Sequence, residues 1–235
     1  MSDQYKSAVQ HQSIGSDKTD VWVFDLDNTL YPASSNLFAQ IDVKLRDYVA
    51  EYLSISPDQA RKVQKDYFMK YGTTLSGMMQ HHGVDPDHFL DYVHDIDFSP
   101  IEKSPLLINA LASLKGRKLV YTNADATYTA KILDRLGISE HIESIFDIKA
   151  AMLKPKPVMV SYEKFLRDHD VDPMRAVMVE DMAKNLIPAK ELGMGTIWVN
   201  TGSIWGAADH HPDFIDVETH DLATWLSEHI KHTTS

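Results

Sequence analysis

Two aspartates separated by one residue, Asp25 and Asp27, directly follow the apolar run Val-Trp-Val-Phe at residues 21–24. Side chains two residues apart on an extended backbone point to the same side, so both carboxylates face one space. One carboxylate of such a pair can attack an electrophile while the other transfers a proton, and both can help to hold a cation. The same residues also fit a strand followed by an acidic turn, because Asp-Asn-Thr favours turns and helix caps.

Further strands are predicted along the chain, and helices are predicted between them. Short apolar runs indicate strands at 118–122, 144–148, 176–179, 196–199 and 214–217. Helical patterns alternate with them at 128–136, 158–169, 185–192 and 222–230. This alternation predicts an α/β fold, in which a parallel sheet carries helices on both faces.

The carboxyl ends of parallel strands lie on one edge of a sheet, where open α/β sheets bind their ligands. The groups expected at that edge are Asp25, Asp27, Thr122, Asn123, Glu180 and Asp181, with a lysine from the loop Leu-Lys-Pro-Lys-Pro at 153–157. Carboxylate oxygens in a chain without cysteine suit a hard cation such as Mg²⁺. The hydroxyl, amide and ammonium groups are suited to holding a phosphoryl group.

Residues 33–103 have a purely helical pattern and separate the first two predicted strands. Apolar residues from Leu37 to Tyr52 repeat with spacings of three and four. Ser56 and Pro57 are of the types preferred at the cap and first position of a second helix, which runs towards Met69. Shorter helices are predicted at 75–81 and 87–94. We therefore predict an all-helical cap at 33–103, inserted into a sheet domain formed by residues 20–32 and 104–235.

Composition limits the partners and the location that we expect. A formal net charge of -11 argues against a nucleic-acid partner, because phosphate backbones require clustered Lys and Arg. No stretch approaches the roughly 18 apolar residues of a membrane span. Residues 1–19 are polar, without the apolar centre of a secretory signal. We expect a flexible segment at 1–19, a cytoplasmic protein, no membrane partner, and a monomer or homodimer.

The motifs, taken in order, resemble those of the haloacid dehalogenase superfamily. Asp-Leu-Asp-Asn-Thr-Leu at 25–30 resembles the DxDxT first motif, and Thr122 resembles the second-motif Thr or Ser. Lys154 resembles the third-motif lysine, and Glu180-Asp181 with Asn185 resembles the acidic fourth motif. The resemblance implies a Rossmann-like core with a helical cap inserted after the first motif, which agrees with the pattern at 33–103.

The resemblance also implies a role for each matching residue. Asp25 would attack phosphorus and form an aspartyl-phosphate, while Asp27 would protonate the leaving group and later deprotonate water. Mg²⁺ would be bound by the Asp25 carboxylate, the Asp27 backbone carbonyl, Asp181 and waters, with Glu180 orienting those waters. Thr122 and Lys154 would neutralise the phosphoryl oxygens.

Two of these assignments have alternatives within the sequence. Lys154 and Lys156 both lie in the Lys-Pro-Lys-Pro loop, and we favour Lys154 because the family's lysine usually directly precedes the first proline. Asn185 is expected either to link to the metal-bound waters or to make a hydrogen bond at the start of a helix.

Within the family, several segments resemble the pyrimidine 5'-nucleotidase branch. They are Asp-Asn-Thr-Leu-Tyr-Pro, the cap loop Tyr-Gly-Thr-Thr-Leu, Lys-Pro-x-Pro and Val-Glu-Asp-x-x-x-Asn-Leu. This resemblance implies that the substrate is a small phosphorylated metabolite, namely UMP, CMP or their deoxy forms. The residues expected to contact the substrate are Asn28, Tyr31, Tyr71, Thr73, Thr74, Thr122, Asn123 and Lys154, although Tyr31 and Tyr71 also suit packing at the cap hinge.

Other functions remain open at the level of sequence. A sugar-phosphate or broad-specificity phosphatase would use the same motifs, and a phosphate-binding or regulatory protein would retain them without catalysis. Dehalogenating members of the family lack an acid at the position of Asp27. Phosphonate-cleaving members need a cap lysine, whereas the cap lysines here lie in surface-like helical patterns.

Overall fold

The fold is a parallel sheet with helices on both faces, as predicted. The computed structural model describes residue 14 and residues 19–233. Its strands are β1 (Val21–Phe24), β2 (Arg117–Tyr121), β3 (Ser144–Phe146), β4 (Ala176–Glu180), β5 (Gly195–Val199) and β6 (Val217–Thr219). They form one six-stranded sheet in the order β3-β2-β1-β4-β5-β6, with every neighbouring pair parallel. The flexible segment predicted at 1–19 lies outside the described residues, apart from residues 14 and 19.

Helices fill the connections between the strands. Between β1 and β2 lie α1 (Leu37–Leu53), α2 (Pro57–Tyr71), α3 (Thr74–His82), α4 (Pro86–Val93) and α5 (Pro105–Ser113). The later helices are α6 (Ala126–Leu136), α7 (Met159–Asp168), α8 (Ala183–Glu191) and α9 (Leu222–Thr233). The sequence analysis missed α5, because it is apolar on most sides and shows no clear helical period. It also placed the last strand at 214–217, whereas Pro212–Phe214 forms a 3-10 turn and β6 begins at Val217.

The signals for the second helix were correct. The Ser56 hydroxyl accepts a hydrogen bond from the Gln59 backbone N–H, and the Gln59 side chain accepts one from the Ser56 backbone. Pro57 occupies the first helical position, where its missing N–H leaves no hydrogen bond unmade. The backbone N–H groups of Ser56 and Gln59 at this helix start therefore both have a partner.

Alternate residues of β1 face the two helical layers. Trp22 and Phe24 belong to the apolar cluster shared with α5, α6 and α9, whereas Val21 and Val23 belong to the cluster shared with α7 and α8. All four side chains are buried, and burial of each contributes roughly 1.5–3 kcal/mol. Burial on both faces fixes the register of β1, and with it the position of the acidic residues that follow.

The helices α1–α4 form a third apolar cluster beside the sheet domain. It includes Tyr48, Met78 and Phe89, and it extends to Ile148 in the segment after β3. Gly72, between α2 and α3, lies against the loop that contains Lys156: a Cβ at Gly72 would lie 3.4 Å from Pro155 Cγ and 3.5 Å from the Lys156 carbonyl oxygen. The boundaries of the cap at 33 and 103 stay a prediction. Within the described residues, no helix is both long and apolar enough to cross a membrane.

Gly77 tests the packing of α3 on α2. A Cβ at this position would overlap the Tyr67 side chain, lying 2.5 Å from its Cβ. We expect Gly77→Ala to lower the free energy of unfolding by about 1–3 kcal/mol, because overpacking forces side chains from their rotamers. Chemical denaturation measures this, with the exposed Gln80→Ala on the same helix as the control. An unchanged stability in Gly77→Ala would contradict the close packing of these helices.

Candidate active site

A buried lysine joins two acidic residues at the carboxyl edge of the sheet. The Lys156 ammonium donates hydrogen bonds to Asp25 Oδ1 at 2.7 Å and to Glu180 Oε2 at 2.6 Å. It also donates to the Tyr121 carbonyl oxygen at 2.9 Å. Lys156 is 1% exposed and Glu180 is 1% exposed, so these charges are shielded from water. Three acceptors use the three ammonium protons, which leaves this buried donor fully satisfied.

Residues at the end of β2 hold Lys156 in place. The Asn123 side chain accepts a hydrogen bond from the Lys156 backbone N–H at 2.8 Å and donates one to its carbonyl at 3.3 Å. Thr122 lies directly after β2 and is buried, and its hydroxyl accepts a hydrogen bond from the Ala124 backbone N–H at 3.0 Å. Asn123 therefore acts on the lysine loop, a role that the sequence alone did not indicate.

The prediction that Lys154 is the lysine of this site is wrong. Lys154 is exposed, and the structure places Lys156 against Asp25 and Glu180 instead. The physical reason is the pair of Asn123 hydrogen bonds, which hold the backbone of Lys156 at the edge of the sheet. Two lysines separated by one proline have nearly the same local sequence, so no local pattern distinguishes them.

Asp25, Glu180 and Asp181 form a buried acidic cluster with one carboxylate oxygen from each within 4.8 Å of the others. Burial, and then the negative charge of Glu180, raise the pKa of Asp25 to about 7 despite the opposing effect of Lys156. Burial and the charges of Glu180 and Asp25 raise the pKa of Asp181 well above its usual range. Burial alone would lower the pKa of Lys156, but these carboxylates raise it. A single ammonium thus cannot compensate all three carboxylates when they are ionised.

The donor atoms of this cluster fit a divalent cation. Both Glu180 oxygens are used, since Oε2 accepts from Lys156 and Oε1 accepts from the Met182 backbone N–H. Lys156 holds Asp25 through Oδ1, and within the described part of the chain Asp25 Oδ2 accepts no hydrogen bond. An oxygen-only set with excess negative charge suits Mg²⁺. Asp25 and Asp181 could therefore bind a metal, with Glu180 behind them.

Two buried polar atoms near these motifs have no partner among the described residues. They are Asn185 Oδ1, in the first turn of α8, and Thr29 Oγ1, in the turn after β1. A buried side-chain oxygen without a hydrogen bond is costly, and ordered water commonly supplies the partner. For Asn185 this favours the predicted link to water over the alternative of a hydrogen bond at the helix start.

Asp27 lies apart from the lysine and contacts two tyrosines. Tyr31 and Tyr128 donate to the same atom, Asp27 Oδ1, at 2.5 and 2.7 Å. Burial raises the pKa of Asp27, and the two phenol hydrogen bonds partly offset that rise. The two carboxylates of the first motif thus have different surroundings, one with an ammonium and one with phenols. Tyr31 therefore contacts Asp27, whereas the sequence suggested that Tyr31 contacts the nucleoside or packs at the cap hinge.

The first turn of α6 fixes Tyr128, and a cleft lies beside it. Asp125 caps α6 by accepting a hydrogen bond from the Tyr128 backbone N–H at 3.0 Å, and its other oxygen pairs with His94 at the end of α4. The His94 and Tyr128 rings stack with centroids 4.3 Å apart. These three residues, with Phe98 and Lys131, line part of a cleft of about 340 Å³. The sequence signal for Tyr128 was its place three residues after a helix cap.

The predicted substrate contacts in the cap have mixed surroundings. Thr74 is buried and donates to the Gln64 carbonyl oxygen at 3.2 Å, so its hydroxyl is used within the cap. Thr73 caps α3 through the Ser76 backbone N–H, and the Tyr71 hydroxyl pairs with His81 at 2.6 Å. Asn28 occupies the left-handed region with φ 61°, which asparagine tolerates better than most residues. Its side chain makes no hydrogen bond within the described chain.

The loop at 203–213 contacts both the acidic cluster and the cap. The Ala183 backbone N–H donates to the Gly206 carbonyl oxygen at 2.8 Å, and a Cβ at Gly206 would lie 2.9 Å from the Asp181 carbonyl oxygen. The Trp205 ring meets Phe68 of α2 edge to face at 6.1 Å. The Trp198 indole N–H donates to the Asp181 carbonyl oxygen at 2.8 Å. The Asp181 backbone therefore contacts both Trp198 and the loop at Gly206.

Comparison with known families identifies the type of protein. Residues 22–199 match the model of the family described as haloacid dehalogenase-like hydrolases. The chain belongs to this family. Its fold is consequently that of a haloacid dehalogenase-like hydrolase, an enzyme class.

Solved structures of this family share the fold. A HAD phosphatase from Thermococcus onnurineus superposes with a TM-score of 0.60 at 19% identity, covering 88% of this chain and 96% of that one. The L-2-haloacid dehalogenase from Xanthobacter autotrophicus, with chloropropionic acid covalently bound, gives 0.56 at 14% identity, covering 88% and 97%. The HAD-hydrolase YfnB from Bacillus subtilis, bound to magnesium, gives 0.55 at 14% identity, covering 93% and 100%. Neighbours of both reaction types show that the fold alone does not choose the reaction.

A curated relative is the Phosphate metabolism protein 8 of Saccharomyces cerevisiae. It is 25% identical over 196 residues, which cover 75% of this chain and 60% of the relative. The chain thus matches less than two thirds of that protein's length.

Lys156 and Lys154 form a matched pair for a first test. We expect Lys156→Met to lower the free energy of unfolding by about 3–5 kcal/mol, because it leaves Asp25 and Glu180 buried without their countercharge. Lys154→Met removes an exposed ammonium and should change the stability by less than about 0.5 kcal/mol. Urea denaturation of both variants measures the difference. Equal losses in the two variants would contradict the assignment of the buried lysine.

A divalent cation should stabilise the folded protein through the acidic cluster. At one hundred times its dissociation constant, Mg²⁺ should add about 2.7 kcal/mol to the free energy of unfolding. Asp181→Asn should remove this increment, whereas the exposed Glu51→Gln should keep it. Thermal denaturation with Mg²⁺ and with a chelator measures both, and an equal response in Asp181→Asn would count against the cluster as the metal site.

The effect of pH on this increment follows from the raised acid pKa values. A carboxyl whose pKa is 3.8 when unfolded and about 7 when folded loses stability as pH rises between these values, because the folded state retains its proton. The cation needs deprotonated ligands, so its increment should grow from about pH 4 to about pH 7. A pH-independent increment would contradict this account.

Proposed function

We propose that this protein is a Mg²⁺-dependent phosphomonoester hydrolase that acts through an aspartyl-phosphate on Asp25. The observation that carries the proposal is the unequal environment of the two aspartates. Asp25 contacts the Lys156 ammonium and the metal-suited acidic cluster, whereas Asp27 accepts hydrogen bonds from two phenols. A nucleophile needs to be ionised, and a proton carrier needs to be able to hold a proton, so the two environments suit two roles.

Each role is assigned to atoms of this chain. Asp25 attacks phosphorus and the bond from phosphorus to the leaving oxygen breaks, while Asp27 gives that oxygen a proton. Asp27 then takes a proton from the water that attacks the phosphoryl group, and Asp25 is released. Lys156 opposes the rise that burial causes in the pKa of Asp25 and, with Thr122, neutralises phosphoryl oxygens. Mg²⁺ held by Asp25, Asp181 and the Asp27 carbonyl would supply charge stabilisation.

Asp27 favours phosphoryl transfer over dehalogenation. A halide leaves as a stable anion and needs no proton, whereas an alkoxide leaving group requires one. The half-buried Asp27, with a pKa raised by burial, is able to carry that proton. The name of the yeast relative, Phosphate metabolism protein 8, agrees with phosphate chemistry.

The proposed substrate is a pyrimidine nucleoside 5'-monophosphate, UMP or CMP or a deoxy form. The support is the resemblance of the first motif, the cap loop and the fourth motif to the pyrimidine nucleotidase branch. Tyr71 and Thr73 lie next to Gly72, which packs on the lysine loop, and this supports them as candidate contacts of the nucleoside. A sugar phosphate is the second candidate, since nothing in the core motifs distinguishes the two.

A panel of substrates tests this proposal directly. Released phosphate is measured with Mg²⁺ for UMP, CMP, dUMP, AMP, GMP, glucose 6-phosphate and p-nitrophenyl phosphate, and chloride release is measured for 2-chloropropionate. We expect the pyrimidine nucleotides to have the highest kcat/KM and Asp25→Asn to abolish turnover. Equal kcat/KM for sugar phosphates and UMP would overturn the nucleotidase, and chloride release without phosphate release would overturn the phosphatase.

The role of Asp27 is tested by the leaving group. Asp27→Asn should reduce turnover of UMP by about 100-fold or more, the usual scale of general acid catalysis. It should reduce phosphorylation of the enzyme by p-nitrophenyl phosphate far less, because an aryl oxide leaves without a proton. Rapid-quench kinetics of the first turnover measures this, and similar losses with both substrates would remove Asp27 from the role of acid.

A further inference from the structure

We propose that Tyr31 and Tyr128 are positioning residues that together hold Asp27 by Oδ1, so that Oδ2 alone exchanges a proton with the substrate. This inference rests on the proposed function, because it names the device that aligns the proton carrier of that reaction. Neither tyrosine is part of the acidic motifs, and they lie 97 residues apart in sequence. Only the fold brings them to one carboxylate oxygen.

The geometry of the hydrogen bonds is the first support. The Tyr31 and Tyr128 hydroxyls lie 2.5 and 2.7 Å from the same Asp27 oxygen, and 3.3 Å from each other. A carboxylate oxygen has two lone pairs, so two donors occupy Oδ1 completely. Asp27 Oδ2 receives no hydrogen bond from the part of the chain that the structure describes. Oδ2 is therefore the oxygen left for the leaving group and the water.

The direction of the phenol protons is the second support. Each hydroxyl has a single proton, and a carboxylate can only accept, so both protons point to Oδ1 and neither is left for the other phenol. An ordinary phenol has a pKa of about 10 and keeps its proton at neutral pH, so both hydroxyls serve as donors to this oxygen.

The fixed position of each ring is the third support. Tyr31 and Tyr128 are both 1% exposed. Tyr128 is held at its backbone by the Asp125 cap and at its ring face by His94 and Phe98, with ring centroids at 4.3 and 5.8 Å. Donors on rigid, buried rings can restrict the rotation of a short side chain, which a mobile donor cannot do.

The alternative is that the phenols merely satisfy a buried carboxylate. That role predicts a loss of stability on their removal and no selective effect on the step that needs the acid. Positioning predicts that Asp27 changes orientation, and that kcat falls for a substrate whose leaving group needs a proton, while KM is unchanged. The two roles therefore differ in measurable ways.

The first part of the test is structural and needs no activity. Crystal structures of the wild type, Tyr31→Phe, Tyr128→Phe and the double variant report the orientation of the Asp27 carboxylate. We expect one orientation in the wild type, and a rotated or split carboxylate in the double variant. An unchanged carboxylate in the double variant would overturn the proposal, and the single variants supply the result where the double variant fails to fold.

The second part compares leaving groups in the same variants. We expect each Tyr→Phe change to reduce kcat for an alkyl phosphate by about tenfold, a fraction of the full contribution of a general acid. First-turnover phosphorylation by p-nitrophenyl phosphate should fall less than about threefold, since an aryl oxide needs little protonation. The control is Tyr48→Phe, which removes a part-buried hydroxyl that is hydrogen-bonded to His88 in the cap.

The outcomes separate this inference from the function on which it rests. Equal losses for the alkyl and aryl substrates, or losses matched by Tyr48→Phe, would overturn the positioning role. A wild-type enzyme that releases no phosphate from any substrate would overturn the proposed function, while the crystal structures would still decide whether the phenols orient Asp27. Selective loss with the alkyl substrate, together with a displaced carboxylate, would support it.

Discussion

The contact between the Lys156 ammonium and the carboxylates of Asp25 and Glu180 is the interaction on which the site depends. Three acids lie close together away from water, and charges in such an environment repel strongly unless they are compensated. One lysine compensates in part, and the acids that it leaves uncompensated make the cluster suited to a divalent cation. The sheet makes this arrangement possible, because parallel strands β1 and β4 bring Asp25 and Glu180 to the same edge and β2 brings Asn123, which holds the lysine loop. The contact of Lys156 with Asp25 and Glu180 thus contributes both to the stability of this edge of the sheet and to the chemistry proposed there.

A second consequence of the fold is the separation of the two aspartates. They are two residues apart in sequence, yet one contacts an ammonium and the other contacts two phenols. The strand ends at Phe24, and the backbone then turns at Asn28, so the side chains leave the sheet edge into different surroundings. The cap contributes to this difference through His94, which stacks on Tyr128 from the end of α4. The surroundings of Asp27 therefore depend on the helical insertion as well as on the sheet.

Much of this architecture could be predicted from the sequence, because it depends on local patterns. Continuous apolar runs gave the buried strands, and spacings of three and four gave the helices between β1 and β2. The helix α5 was missed because most of its residues are apolar and show no clear helical period, and β6 was misplaced because a 3-10 turn precedes it. The site was predictable as a set of residue types at strand ends. The choice of Lys156 over Lys154 depends on Asn123, and the contact of Tyr128 with Asp27 spans 101 residues, so neither follows from local sequence.

The proposed mechanism requires that Asp25 is the nucleophile and that its carboxylate becomes phosphorylated. It is tested most directly by mixing the Mg²⁺-loaded enzyme with substrate, quenching with acid within one turnover, and reducing the trapped acyl phosphate with borohydride. Reduction converts an aspartyl-phosphate into homoserine, which peptide mass spectrometry locates in the chain. The account predicts homoserine at position 25, and none in Asp25→Asn. Release of phosphate without homoserine at that position, or homoserine at position 27 instead, would contradict it.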